Sequence, residues 1–333
     1  MELRSRRLVG STIPPGAVDP VPTEVEVRWD PLTGHSSRIL TAPAPLIPPQ
    51  DFDLAAVAEE TREGCPFCGD RVEELTPRLP PDGWPEGRIR RGQAVLFPNI
   101  LTYAQHAAVS VYSPREHFLP LDRMTPRLVA DNLWTQVTFV RSASERLPEP
   151  AWGSVNANHM LPSGSSLFHP HLQGGVDPVP TTMQAHLAHG ADGRFEEYLE
   201  AERRAGPRYL GSTGRVEWLA SFAPIAPAEL RALVPGACAP GDLDDDAVEE
   251  LGAGIATALG LYAELGLQSF NMALYGAPRG AAGYWLNLRM ACRSNLRPLY
   301  RSDATYFERL HWEGAVDLTP EHLADRAGDR FRR

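Results

Sequence analysis

Cys65-Pro66-Phe67-Cys68-Gly69 sets two thiols three residues apart, the spacing of a knuckle that offers two thiolates to one metal ion. A redox pair of the thioredoxin kind would open a helix directly after a strand. Here the surroundings are acidic and rich in Pro and Gly, which favours metal. A tetrahedral ion needs two more ligands, and no second Cys-x-x-Cys exists, so histidines or carboxylates elsewhere must supply them.

His169-Pro170-His171-Leu172-Gln173 is the second chemical cluster. In a strand, residues 169, 171 and 173 share a face, which would line one surface with two imidazoles and an amide. The turn Ser163-Gly164-Ser165-Ser166 before it offers small residues and backbone N–H groups suited to an anion. An imidazole beside a phosphate-binding turn suggests nucleophilic attack on phosphorus and a covalent histidine intermediate. The competing reading is a polar, solvent-facing strand.

These residues need elements to hold them. Ala94–Phe97 and Ala108–Tyr112 are apolar and β-branched enough for strands. Thr125-Pro126 marks a helix start, with Val129, Leu133, Val137 and Val140 on one face. Trp152–Asn156 is a short strand. In the second half Glu217–Ala223 reads as a strand, and Val248–Leu265 as a helix stopping at Gly266. Two strands, Phe270–Tyr275 and Tyr284–Met290, follow, and Thr319-Pro320 opens a last helix. Residues 1–27 read as an irregular arm, and Pro43, Pro45, Pro48 and Pro49 mark an extended stretch. Trp84, Trp134, Trp152 and Trp218 read as core or interface anchors.

The chain has 333 residues, 43% hydrophobic and 22% charged, which permits a buried core. Lys and Arg number 32 against 42 Asp and Glu, a formal net charge of −10, so a nucleic-acid-gripping basic face is excluded. No apolar run approaches the roughly 20 residues of a membrane span. The basic start lacks the apolar stretch of a signal peptide, and a cytoplasmic location is expected. Cys238 and Cys292 carry no pairing signal.

Gly164–Gln173 resembles the active-site strand of the galactose-1-phosphate uridylyltransferase family, a histidine-triad branch in which glutamine replaces the third histidine. The motif Arg28-Trp-Asp-Pro-Leu-Thr33, the cysteines 65 and 68, and Ser113-Pro-Arg-Glu-His117 resemble further family segments in the same order. Asn99 and Asn158 stand where the family has asparagines. The resemblance spans about residues 28–330 and is strongest in the first half. It implies an α+β fold of two histidine-triad-like halves, each a mainly antiparallel sheet with packed helices. The halves would be 28–200, with metal and nucleophile, and 201–333, degenerate.

The resemblance further implies ping-pong transfer of a nucleoside monophosphate, UMP by analogy, from a nucleoside diphosphate sugar to a sugar 1-phosphate. His171 would be the nucleophile, with Ser166 and Gln173 on the transferring phosphoryl group. Asn99, Asn158, Ser165, Arg28 and Arg289 would contact substrate. A structural Zn²⁺ would be held by Cys65, Cys68, His117 and His169, and the protein would be a homodimer. His117 read by itself is equally an ordinary surface or satisfied histidine.

Departures matter. Tyr275-Gly-Ala-Pro278 and Asn287-Leu-Arg289 stand where some members carry second-metal histidines, so that site is expected to be absent. Arg289 would bind a phosphate or make a salt bridge. The stretch Glu308–Val316 lacks the family's hexose contacts, which argues against galactose 1-phosphate as acceptor, and His311 or Trp312 would shape a different pocket. His159 reads as a loop histidine, and His186 and His189 as non-ligands. Two alternatives stay open: a nucleoside-diphosphate-sugar or dinucleoside-polyphosphate phosphorylase using inorganic phosphate, and a non-catalytic nucleotide-binding relative.

Overall fold

The computed structural model describes residues 1–40, 53–297 and 303–332; the proline stretch at 43–49 lies outside them. The first strands are β1 (Ser5–Thr12), β2 (Val21–Trp29) and β3 (Ser36–Leu40), followed by helices α1 (Leu54–Arg62) and α2 (Arg71–Leu75). Then come β4 (Ile89–Arg91), β5 (Ala94–Pro98), β6 (His106–Val111), α3 (Pro126–Ser144), β7 (Trp152–His159) and β8 (His171–Asp177). Helices α4 (Thr182–Ala188) and α5 (Arg194–Ala205) lead to β9 (Tyr209–Thr213), β10 (Val216–Ala220) and β11 (Leu230–Val234). Last are α6 (Asp245–Glu264), β12 (Ser269–Tyr275), β13 (Leu286–Arg293), β14 (Gly314–Val316) and α7 (Pro320–Ala327).

Ten strands form one sheet in the order β4-β5-β6-β8-β7-β12-β13-β11-β10-β9, every neighbouring pair antiparallel. Five strands come from each side of residue 200, and they meet where β7 pairs with β12. The expected α+β architecture, an antiparallel sheet with packed helices, is what the chain adopts.

Directly opposed residues share a face, and the two faces differ in kind. Leu172, Val155, Leu274 and Leu288 point to one side and are buried with α3 and α6 in the main core. Helix α3 starts at the expected Thr125-Pro126, and α6 starts three residues ahead of the expected stripe at Val248. Thr125 accepts from the Leu128 N–H ahead of Pro126, and Asp244 accepts from the Ala247 N–H. The two helices cross closely because Gly252 is small: a Cβ there would meet the Ala130 backbone at 2.9 Å. The other face carries His171 and Gln173 on β8, Asn156 on β7, Asn271 on β12 and Arg289 on β13, as the ladder register requires.

Residues 1–27 are not irregular: β1 and β2 form an antiparallel hairpin, joined to β3 and β14 in a second sheet. The alternation Val25, Val27, Trp29 is a strand signal that the Gly and Pro around it obscure. All eight residues of β1 are exposed. Asp30 fastens this sheet to the large one. Its Oδ1 accepts from the N–H groups of Leu32 and Thr33, both at 2.9 Å. Its Oδ2 accepts from Arg231 and, at 2.8 Å, from Arg289 Nη2. The two guanidiniums hold its pKa far below the usual carboxylate range against the opposing effect of burial, which is the largest single influence.

Removing one partner from a buried ion pair leaves an uncompensated charge and costs about 3–5 kcal/mol. Asp30→Ala is therefore expected to lower unfolding free energy by about that amount. Urea unfolding at pH 7 checks it. Because the folded pKa is depressed, the contribution is present above the unfolded value of about 3.9 and is lost as pH falls below it.

Candidate active site

Cys65, Cys68, His117 and His169 converge, all buried, with their ligand atoms within 4.8 Å of one another. Cys68 Sγ lies 3.2 Å from His117 Nδ1 and 3.4 Å from His169 Nδ1. The far nitrogens are also occupied. His169 Nε2 donates to the Ser113 carbonyl at 3.0 Å, and His117 Nε2 to Thr61 Oγ1 at 3.1 Å. The Thr61 hydroxyl passes its own proton to carbonyls of α1. Both Nδ1 atoms are thereby left as lone-pair donors, the second-shell pattern of metal-binding histidines. Burial, with the Cys65 thiol beside it, pushes the Cys68 thiol up to about 11, so without a cation that thiol stays protonated. The donor set fits a tetrahedral ion such as zinc.

His169 is not part of the strand as expected. β8 begins at His171, so Pro170 turns the chain and the two imidazoles diverge, His169 to the metal group and His171 to the open face. His171 Nδ1 donates to the His169 carbonyl at 2.8 Å, leaving the Nε2 lone pair free. Burial lowers the pKa of His171, which keeps the ring neutral. A neutral, oriented imidazole is what nucleophilic attack requires.

Gln173 stands two residues along the same face, and its carbonyl accepts from Asn156 Nδ2 at 3.3 Å. The turn before β8 holds Gly164 in the left-handed region, φ 90°. Ser163 Oγ donates to the Met160 carbonyl and Ser165 Oγ to the Leu167 carbonyl, both at 2.7 Å. The Ser166 side is exposed. Met160, buried at φ 71°, is a strained non-glycine position of the sort found beside functional sites.

A cleft of about 1000 Å³ opens on the same face. Asn156, Asn158, Gly164, Arg289, His311 and Trp312 are among the residues that line it. Asn271 Nδ2 donates to Asn158 Oδ1 at 2.7 Å and to the Ser163 carbonyl at 2.9 Å, linking the anion turn to β12. Trp312 is 60% exposed and sits edge-on to His186 at 6.3 Å. Arg289 makes the salt bridge that was one of its two readings, to Asp30 and to Glu229 at 3.4 Å.

Three expected substrate contacts, Arg28, Asn99 and Ser165, do not line the cleft, and neither do His171, Gln173 and Ser166, which lie beside its Asn156 and Gly164 end. Arg28 is buried in ion pairs with Glu26 at 2.9 Å and Glu321 at 2.8 Å. Asn99 caps a turn, accepting from the Leu101 N–H at 3.1 Å. His159 is the last residue of β7 rather than a loop histidine, buried and stacked on Phe270 at 5.1 Å. His189 ends α4 away from the metal group. Asn271, Asn156 and His186 carry no local signal; only strand register and tertiary packing place them at the cleft.

Solved structures share this architecture. An ADP-glucose phosphorylase of Arabidopsis thaliana aligns over 91% of this chain and 98% of its own, with a TM-score of 0.70 and 19% identity. A uridylyltransferase variant aligns over 92% and 97%, with a TM-score of 0.64 and 17% identity. The fold is thus that of the galactose-1-phosphate uridylyltransferase-like proteins, as the motifs indicated. No protein-family model matches the chain. An uncharacterized protein of Archaeoglobus fulgidus is 30% identical over 335 residues, 97% of each chain, and the two belong to one family. Among the described residues no helix is long and apolar enough to cross a membrane.

Cys65→Ser is expected to reduce bound metal from about one ion per chain to a small fraction, and to lower the melting temperature, because site binding and folding are coupled. Elemental analysis beside thermal unfolding reads both. His159 supplies a separate acid sensitivity. Burial, with His171 nearby, holds its pKa down at about 3, so the unfolded chain takes up its proton first, at about 6.5. Stability present above 6.5 is lost as pH falls: about 2 kcal/mol between pH 7 and pH 5 from this one group. His159→Phe should remove that part of the pH dependence in urea unfolding.

Proposed function

We propose that the protein is a nucleotidyltransferase that forms a covalent nucleotidyl-histidine at His171. The observation that carries this reading is the imidazole's state: neutral, tied through Nδ1 to the His169 carbonyl, and on the sheet face that also carries Gln173 and Asn156. Nε2 attacks the α-phosphorus of a nucleoside diphosphate sugar as the bond to the bridging oxygen breaks. The electron pair leaves with the sugar 1-phosphate. The Nδ1–H hydrogen bond to the carbonyl stabilises the charge that develops on the ring. A phosphate oxygen of the acceptor then attacks the same phosphorus, and Nε2 departs neutral.

Gln173, Ser166 and the N–H groups of the 163–166 turn would hold the phosphoryl oxygens, and Asn158 would hold the nucleotide's phosphate region. Zn²⁺ on Cys65, Cys68, His117 and His169 would cross-link the knuckle to the entry of β8, a structural contribution. The cleft is larger than inorganic phosphate needs. Arg309 at its rim has no ion-pair partner among the described residues. Both favour a sugar 1-phosphate as acceptor, and the family hexose contacts missing from Glu308–Val316 argue against galactose 1-phosphate. Strand β1, exposed along its whole length, supports a homodimer as the working assembly. Phosphorolysis is the second reading, favoured by Leu172 within the motif and by the likeness to an ADP-glucose phosphorylase.

Intact mass spectrometry after incubation with UDP-, GDP-, ADP- and dTDP-sugars should show a nucleotide-sized adduct, absent in His171→Ala, whose mass names the base. Gln173→Ala should slow adduct formation by about 10²-fold, the effect of losing one preorganised donor. Discharge by sugar phosphates but not inorganic phosphate would support the transferase, and the reverse would support the phosphorylase. No adduct with any donor would refute nucleotidyl-histidine chemistry.

A further inference from the structure

We propose that Phe67 is a positioning residue that fixes the ring of His171, with the metal knuckle as its anchor; the proposal rests on the reading of His171 as nucleophile. Phe67 lies between the two thiols of the metal group and is buried. Its ring meets His171 at 5.7 Å between centroids and 72°, and His169 at 5.9 Å and 84°. Both contacts are edge-to-face, the favoured geometry for aromatic pairs. One side chain therefore touches the metal-ligating imidazole and the attacking one together.

The position of His171 makes such a brace necessary. It is the first residue of β8, where the ladder begins. On one side it pairs with Val111 of β6; on the other, the pairing with β7 reaches only Gln173. The preceding residue is Pro170, which has no N–H to give. Backbone hydrogen bonding thus holds the nucleophile's main chain from one flank alone. The Nδ1 hydrogen bond to the His169 carbonyl fixes one ring atom and leaves rotation about that contact. Phe67, itself wedged against Phe97 at 5.1 Å, closes off that rotation and directs Nε2 to the open face. Cys65 and Cys68 flank it, so an ion bound there would immobilise the turn that carries the ring.

The test compares wild type with Phe67→Leu and Phe67→Tyr, all checked for metal content and melting temperature. In Phe67→Leu the rate of adduct formation should fall roughly tenfold or more, with the donor KM within about twofold. Phe67→Tyr, which keeps the ring, should recover most of that loss. In ¹⁵N-histidine spectra without substrate, the Nδ1–H resonance of His171, assigned by its absence in His171→Ala, should weaken through solvent exchange in Phe67→Leu. A Phe67→Leu protein with full metal, unchanged rate and unchanged resonance would overturn the proposal. So would a defect that zinc addition alone reverses. If wild type forms no adduct, the nucleotidyl reading fails, and the resonance still decides whether Phe67 holds His171.

Discussion

One buried carboxylate shared by two guanidiniums organises much of this molecule. Asp30 leaves the end of β2, caps the turn that follows and neutralises Arg231 and Arg289 on two adjacent strands of the large sheet. Two arginines in the interior would be untenable without it, and Glu229 completes the balance. The small sheet is thereby docked over one end of the large one, and His35, five residues on, is carried to the cleft wall. Arg289 consequently lines the cleft as a fixed charge rather than a mobile anion hook.

At the other end of the same face the constraint is placement of an imidazole. The main chain separates two neighbouring histidines into different tasks by starting the strand at the second of them. His169 converges with three other donors, and its carbonyl accepts the hydrogen bond of His171 Nδ1–H. Desolvation disfavours the imidazolium at both rings, which suits a ligand and a nucleophile alike. A single device, burial next to a kinked strand entry, thus prepares two kinds of chemistry.

Much of this could be read before any coordinates. The Thr-Pro starts of α3 and α7, and the apolar stripes of α3 and α6, located these helices because caps and periodicity are local properties. Cys65 and Cys68 declared a metal pair by spacing. His117 and His169, 49 and 101 residues from Cys68, were reachable only through resemblance, since nothing local links them. The N-terminal hairpin was missed because Pro and Gly density outweighed a short alternation of valines. Arg28 was misplaced because a motif shared with a family says where a residue lies in the chain, and its partner Glu321 lies 293 residues away. The cleft itself depends on the register of β7 against β12, which no single segment encodes.

The ends of the large sheet carry a consequence of their own. A long antiparallel sheet offers unpaired N–H and C=O groups at both margins, a template for aggregation unless blunted. One margin, β4, is only three residues long and carries Arg90 and Arg91. The other, β9, is covered by the chain's own C-terminus, where Ser212 bridges to Arg332 and the Phe331 carbonyl approaches Gly211 too closely for any Cβ. Residues 331 and 332 thus lie against the β9 margin and take up part of the edge that another chain's strand could otherwise pair with.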